Sequence, residues 1–321
     1  MLECSLGAVL VAACQPKADT IKVRIGYQKN GVLLLARARG GLETALGSLG
    51  PVAVEWVEFV AGPPMLEAMR AGAIDIGAVG DTPPIIAQSV GDPIVYAAAA
   101  PNADAAEAVI VPAPSPIHGV RDLKGRKIAV TKGSSAHVLL IEALRSVGMT
   151  LAEVEPTYLA PPDAASAFSI GAVDAWAIWD PYLAMAQQRG PTRTLINRGG
   201  LPPSSAFILA YKPFAQRFPR ILASVLDFLW AEAAWGNAHV QEAAQIISDR
   251  TGIAKEACLL MLRRAPLELR SLNSFVIARQ QAAADTFYAQ RLIPAPIDVR
   301  AAVWAGWRPA VADRISRWAD R

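Results

Sequence analysis

The strongest constraint on how this chain can fold is a pattern that occurs twice. Pro63-Pro64, Gly72-Ala73-Ile74-Asp75 and Asp81-Thr82-Pro83 return as Pro161-Pro162, Gly171-Ala172-Val173-Asp174 and Asp180-Pro181. The glycines (72 and 171), the first aspartates (75 and 174) and the second aspartates (81 and 180) are each 99 residues apart. Lys22-Val23-Arg24-Ile25-Gly26, which precedes a helical run, is likewise echoed by Lys127-Ile128-Ala129-Val130-Thr131. Two copies do not make a solenoid, which stacks several repeats. They predict two halves built from one similar α/β unit.

Local periodicity fills in that unit. Ile21, Val23, Ile25 and Tyr27 alternate as a half-buried strand, and Gly31 opens an apolar helical run through Leu35 that Arg39-Gly40-Gly41 ends. Residues 52–59 read as a strand, 65–69 as a short helix and 73–79 as a buried strand stopped by Gly80-Asp81-Thr82-Pro83-Pro84. Strands alternating with helices imply a mostly parallel sheet covered on both faces. Pro112, Pro114 and Pro116 remove ladder donors, so 111–116 is expected to be a surface crossing between the halves. A second break falls at 199–203, and beyond Pro213 the chain turns helical. Two crossings make the middle segment an insertion. Lobe I is expected at 21–105 and 204–321 and lobe II at 106–203, joined by two hinge strands around a cleft.

A length of 321 residues suits two lobes, and 53% apolar with 18% charged residues suits a compact protein. The net charge is only +3, and the basic residues form no aromatic-plus-basic stripe, so nucleic acid is not an expected partner. Three cysteines give no even disulfide set, and Cys258 sits in an apolar helical stretch as a buried thiol. The apolar run 5–13 is too short to span a bilayer but has the length of a signal-peptide core. It ends in Val11-Ala12-Ala13-Cys14, which resembles a bacterial lipoprotein cleavage box, with Cys4 upstream and 15–20 as a tether. The basic stretch that normally precedes such a core is missing, so either the true start lies elsewhere or the match is accidental. Export to the periplasm is the expectation, with Cys14 as a lipid-anchor candidate.

Ligands of open α/β sheets bind where strand ends lead into helix starts. Four such loops stand out: 26–30, 80–83, 131–135 and 179–181. Lys132-Gly133-Ser134-Ser135-Ala136-His137 opens a helix over 137–144, with a glycine for close approach, two serines and a dipole that favours an anion. The Walker order is absent, which argues against nucleotides. Thr82 offers a hydroxyl to an oxyanion. Asp81 does not, and is read as orienting other donors. Gln28 can donate two hydrogens, and Trp179, at a strand end, can meet an apolar tail while Trp176 joins the core. Ser134 and His137 lack a nucleophile elbow and an orienting acid, so catalysis is not expected. His118, His137 and His239 lie far apart, so neither a metal nor a cofactor is expected.

Five segments in order carry a resemblance: 23–29 (Val-Arg-Ile-Gly-Tyr-Gln-Lys), 56–63 (Trp-Val-Glu-Phe-Val-Ala-Gly-Pro), 72–77 (Gly-Ala-Ile-Asp-Ile-Gly), 122–127 (Asp-Leu-Lys-Gly-Arg-Lys) and 174–181 (Asp-Ala-Trp-Ala-Ile-Trp-Asp-Pro). Together they resemble the aliphatic sulfonate-binding proteins of ABC importers, a group with taurine- and nitrate-binding relatives. The resemblance implies a type II periplasmic-binding fold of two α/β lobes. It also implies a non-enzymatic, monomeric protein that takes an alkanesulfonate for sulfur acquisition and serves an inner-membrane permease with its ATPase. It places Gln28 and Thr82 on the headgroup from one lobe and Gly133, Ser134 and Ser135 from the other, with His137 and Trp179 shaping the pocket. Taurine, nitrate or another small anion is the alternative ligand, and Asp81 or Asp180 could then meet an ammonium. An enzyme like those of thiamine-pyrimidine synthesis is the remaining alternative, but its reactive histidine has no evident position here.

Overall fold

The computed structural model describes residues 20–101, 103–201 and 204–309. The signal-like run, Cys4 and Cys14 lie outside the described residues. Among the described residues, ten strands form two five-stranded sheets. The first orders β1 (Ile21–Tyr27), β2 (Val52–Glu58), β3 (Ile76–Val79), β4 (Ile94–Pro101) and β10 (Ser205–Tyr211) as β2-β1-β3-β10-β4. The second orders β5 (Glu107–Pro112), β6 (Lys127–Val130), β7 (Glu155–Tyr158), β8 (Ala175–Trp179) and β9 (Thr192–Asn197) as β7-β6-β8-β5-β9. Both follow one plan: three parallel strands, then an antiparallel strand supplied by the chain as it crosses between sheets (β10 against β3, β5 against β8).

The doubled sequence pattern has a structural cause. The Asp75 carboxylate accepts the backbone N–H of Arg24 at 2.8 Å, while the Asp75 N–H donates to the Arg24 carbonyl at 2.8 Å. In the second sheet Asp174 does the same to Lys127, again at 2.8 Å in both directions. Each aspartate fixes the start of one strand beside the next. The preceding Gly72 and Gly171 have φ of 68° and 72°, a left-handed conformation that ends a helix and strains any side-chain-bearing residue.

Helices cover both faces of each sheet. On one face of the first lie α1 (Gly31–Arg39), α2 (Leu42–Leu46), α8 (Lys212–Arg217), α9 (Pro219–Ala238), α10 (Val240–Thr251) and α11 (Lys255–Arg264). On the other lie α3 (Gly62–Arg70), α4 (Thr82–Ser89) and α12 (Ser274–Ala289). The second sheet carries α5 (Ser135–Ser146) on one face and α6 (Pro161–Ser169) with α7 (Tyr182–Arg189) on the other. In α1, Val32 to Ala36 are all buried, and Arg37 and Arg39 sit at the negative end of the helix dipole. Helix α3 starts earlier than the expected 65–69, because Pro63 and Pro64 fit a first turn that needs no donor. Cys258 is fully buried in α11, its thiol pushed up to about 11 by burial. Among the described residues no helix is long and apolar enough to cross a membrane.

The proline-rich run does not lie between the sheets. Pro112 is the last residue of β5, opposite Thr192 of the edge strand β9, where a missing donor is tolerated. The chain passes from β4 to β5 through the short turn Asp104–Ala106 and returns between β9 and β10.

Candidate functional site

A cavity of about 180 Å³ lies between the two sheets. Gln28, Asn30, Gly62 and Gly80 line it from the first half, and Ser134, Ser135 and Trp179 from the second. These residues stand at the C-terminal ends of β1, β3 and β8 or at the N-termini of α1, α3 and α5, whose first N–H groups have no partner inside their helices. Pro101, Ala106, Glu107 and Arg198, from the two crossings, form the back wall. Met261, Leu262 and Pro266, at the end of α11 and just beyond, add an apolar side. Amides and a hydroxyl at helix starts suit an anionic headgroup, and the apolar side suits a tail.

Of the residues expected at the site, Gln28, Ser134, Ser135 and Trp179 meet at this cleft. Gln28 gives one Nε2 hydrogen to the Ala78 carbonyl at 3.0 Å and keeps the other. Ser134 turns away from the donor role: its hydroxyl donates to the Thr131 carbonyl at 2.7 Å and accepts from the His137 N–H at 3.3 Å, which makes it the cap of α5. Ser135 is thus the serine presented to the cleft. Trp176 is buried beside Phe168 and Tyr182.

Four expected residues are not among those that line the cavity. The Thr82 hydroxyl, meant for an oxyanion, donates instead to Asp81 Oδ1 at 3.0 Å, and both residues are buried. Asp81 itself is pushed up by burial and by Glu107, against the pull of Arg198. Gly133, at φ 75°, aims its N–H at His137 Nδ1 at 3.3 Å rather than at the cleft. His137 packs edge-on against Tyr158 at 5.5 Å, and burial with nearby Lys132 lowers its pKa. It supports the loop from behind.

The sequence reading missed the charged back wall. Arg198 is 3% exposed; its Nε donates to Glu107 Oε2 at 2.8 Å, Nη1 to Glu142 Oε2 at 2.5 Å and Nη2 to the Ser135 carbonyl at 3.1 Å. Burial alone would lower its pKa, but Glu107, Asp81 and Glu142 outweigh that and raise it. A single arginine in a glycine-rich break carries no local signal of this, since its partner Glu107 is 91 residues away. Also missed was a tie across the cleft. Asn30 Nδ2 donates to the Asp180 carbonyl at 3.0 Å, and Arg264 Nη1 to Asp180 Oδ1 at 3.2 Å. Burial lifts the Asp180 carboxyl to about 6 even though Arg264 opposes it.

Two sheets of identical strand plan, with a cleft at facing strand ends and two crossings behind it, define a two-lobed solute-binding protein. The family model "NMT1/THI5 like" matches residues 52–199. The aliphatic sulfonates-binding protein of Escherichia coli (strain K12) is 39% identical over 284 residues, 88% of this chain and 88% of that protein. The aliphatic sulfonates-binding protein of Bacillus subtilis (strain 168) is 33% identical over 87% of this chain and 84% of that one. The solved alkanesulfonate-binding protein SsuA from Xanthomonas axonopodis pv. citri, bound to MOPS, superposes with a TM-score of 0.84 at 37% identity, covering 89% of this chain and 99% of that one. The chain belongs to the aliphatic sulfonate-binding protein family.

Proposed function

We propose that this protein captures alkanesulfonates between its lobes and delivers them, as a monomer, to the membrane permease and ATPase of an ABC importer for sulfur acquisition. The observation that carries this reading is the cleft itself, where neutral donors and helix starts from both sheets converge beside an apolar wall in a chain of this family. A sulfonate is anionic at any ordinary pH, so amides, a hydroxyl and helix dipoles can hold it without a titrating partner. Three to five charge-assisted hydrogen bonds at about 1.5–3 kcal/mol each outweigh desolvation when all the oxygens are satisfied. A ligand touching both lobes stabilises their closed arrangement over the open one. Nothing in this scheme needs a nucleophile, and we read the protein as a carrier and not an enzyme. Its place is the periplasm, that of the solved periplasmic aliphatic sulphonate binding protein SsuA from Escherichia coli. Cys14 is its candidate anchor, and the mass of the mature N-terminus from cells is expected to carry the added acyl chains; an unmodified mass would remove the anchor.

Thermal unfolding with a ligand panel tests the function. Ethanesulfonate at about a hundred times its Kd is expected to add about 2.7 kcal/mol, which raises Tm by several degrees. Propanoate, of comparable length, should leave Tm almost unchanged. Ser135→Asp, which places a negative charge at the start of α5 inside the cleft, should abolish the sulfonate shift while the ligand-free Tm stays put. Tight nitrate binding with no response to any sulfonate would reassign the ligand.

A further inference from the structure

Among the described residues, the Arg264 guanidinium makes its hydrogen bonds only to the other half of the molecule. Arg264 is the last residue of α11, a helix that packs into the core of the first sheet, and it reaches across to α7 on the second. Its Nη1 donates to Asp180 Oδ1 at 3.2 Å and its Nη2 to Gln187 Oε1. Asn30, at the start of α1, adds a second tie to the same spot by donating to the Asp180 carbonyl at 3.0 Å. Beneath these bonds Ala184 of α7 is fully buried against the core of the first sheet. The side chains of Arg264 and Asp180 are 16% and 4% exposed, and Arg264 is the cation paired with Asp180. Asp180 Oδ1 also accepts the Ala184 N–H at 2.9 Å, which holds the carboxylate over the first turn of α7. A carboxylate buried in this way is tolerated while its counter-charge stays in place and is costly once that charge is gone. Met261, Leu262 and Ala265 line the cavity, but Arg264 is not among the residues that do.

We infer that Arg264, acting through Asp180 and Gln187, is a clasp that holds the two halves shut on a ligand: a positioning residue that sets how long a sulfonate stays and not which sulfonate enters. This inference rests on the sulfonate-binding function proposed above. Parting the halves breaks the Arg264 bonds and returns guanidinium and carboxylate to water, so the clasp belongs to the closed arrangement alone. A contact confined to the closed arrangement slows release and leaves entry into the open cleft untouched. Because the guanidinium lies outside the cavity, its effect is the same for every ligand that fits. The open molecule loses little with it, since the bonds of the Arg264 guanidinium all run to the other half.

Stopped-flow fluorescence tests it, with Trp179 in the cavity wall as reporter and ethane-, butane- and hexanesulfonate as ligands in a sulfonate-free buffer. Arg264→Met is expected to raise the dissociation rate about 10- to 100-fold for all three, with association rates within about threefold of wild type and the ligand-free Tm within about 2 °C. In an Asp180→Asn background the same change should raise dissociation by no more than about fivefold, because the buried charge it would strand has gone. Should Arg264→Met lose its melting transition, Gln187→Ala removes the uncharged half of the clasp and should speed release of all three ligands by a common factor of about two to five. Unchanged dissociation rates would overturn the inference. So would a loss that varies with tail length, which would make Arg264 part of the ligand's wall, or a loss just as large in the Asp180→Asn background. If the wild-type protein binds none of the three, it is the sulfonate function beneath the inference that falls.

Discussion

Replacing Arg198 with methionine is expected to lower Tm by on the order of 10 °C and to remove sulfonate binding in the same stroke. Arg198 is nearly inaccessible and ion-paired to both Glu107 and Glu142. Breaking such a buried pair from one side costs about 3–5 kcal/mol, because the carboxylates stay behind without a counter-charge. For a chain of this size each kcal/mol is worth about 2–4 °C. The deficit has a diagnostic pH dependence. Burial already raises the Glu142 carboxyl, which therefore binds its proton more tightly folded than unfolded, so the penalty there is present near neutral pH and fades as pH falls toward about 4. Binding is expected to fail for a separate reason: Arg198 holds the Ser135 carbonyl and so ties the first turn of α5, which lines the cavity, to the crossing behind it. A variant that melts within 2 °C or so of wild type at neutral pH would show that the network adds little to stability.

Gly80→Leu should do the opposite: it is expected to weaken sulfonate binding about 10- to 100-fold while the ligand-free Tm barely moves. Gly80 lies in the turn between β3 and α4, and a Cβ built there would sit 3.0 Å from the Cβ of Ser135 in the other lobe. The missing side chain is what lets the two lobes approach so closely. A leucine would be compressed only when the cleft shuts, at about 1–3 kcal/mol for overpacking, and would face water when it opens. Affinity should fall through faster ligand release, with the closed state disfavoured and the lobes themselves intact. Calorimetry paired with a melting curve separates these terms. Unchanged affinity would mean that ligand capture does not need this approach.

Much of the architecture is legible because the sequence repeats the residues that make its local bonds. Asp75 and Asp174 each pair with the first strand of their own unit, so the same short motif appears wherever that bond is required. Strand alternation, the glycines that end helices and the serine cap of α5 are likewise set by near neighbours. The site was less legible, for the same reason. Whether the Thr82 hydroxyl serves a ligand or Asp81 depends on a rotation of one bond, which no spacing records. Ser134 and Ser135 are adjacent and chemically identical, yet one caps a helix and the other faces the cleft. Arg198 is brought to Glu107 only by the closing of the second sheet, and Arg264 to Asp180 only by packing of α11 against α7. The prolines at 112–116 predicted a crossing because a lost donor rules out a central strand position, but Pro112 sits at the end of its strand, where the rule relaxes.

The position of β10 has a bearing on how the molecule comes into being. That strand fills the gap between β3 and β4, yet about a hundred residues, including the whole second sheet, are threaded before it. A chain delivered from its N-terminus therefore presents an incomplete first sheet, with two inner edges open, until the last crossing has emerged. The second sheet, drawn from one unbroken stretch, has all its strands in hand by then. The half that is made first is the half that must wait.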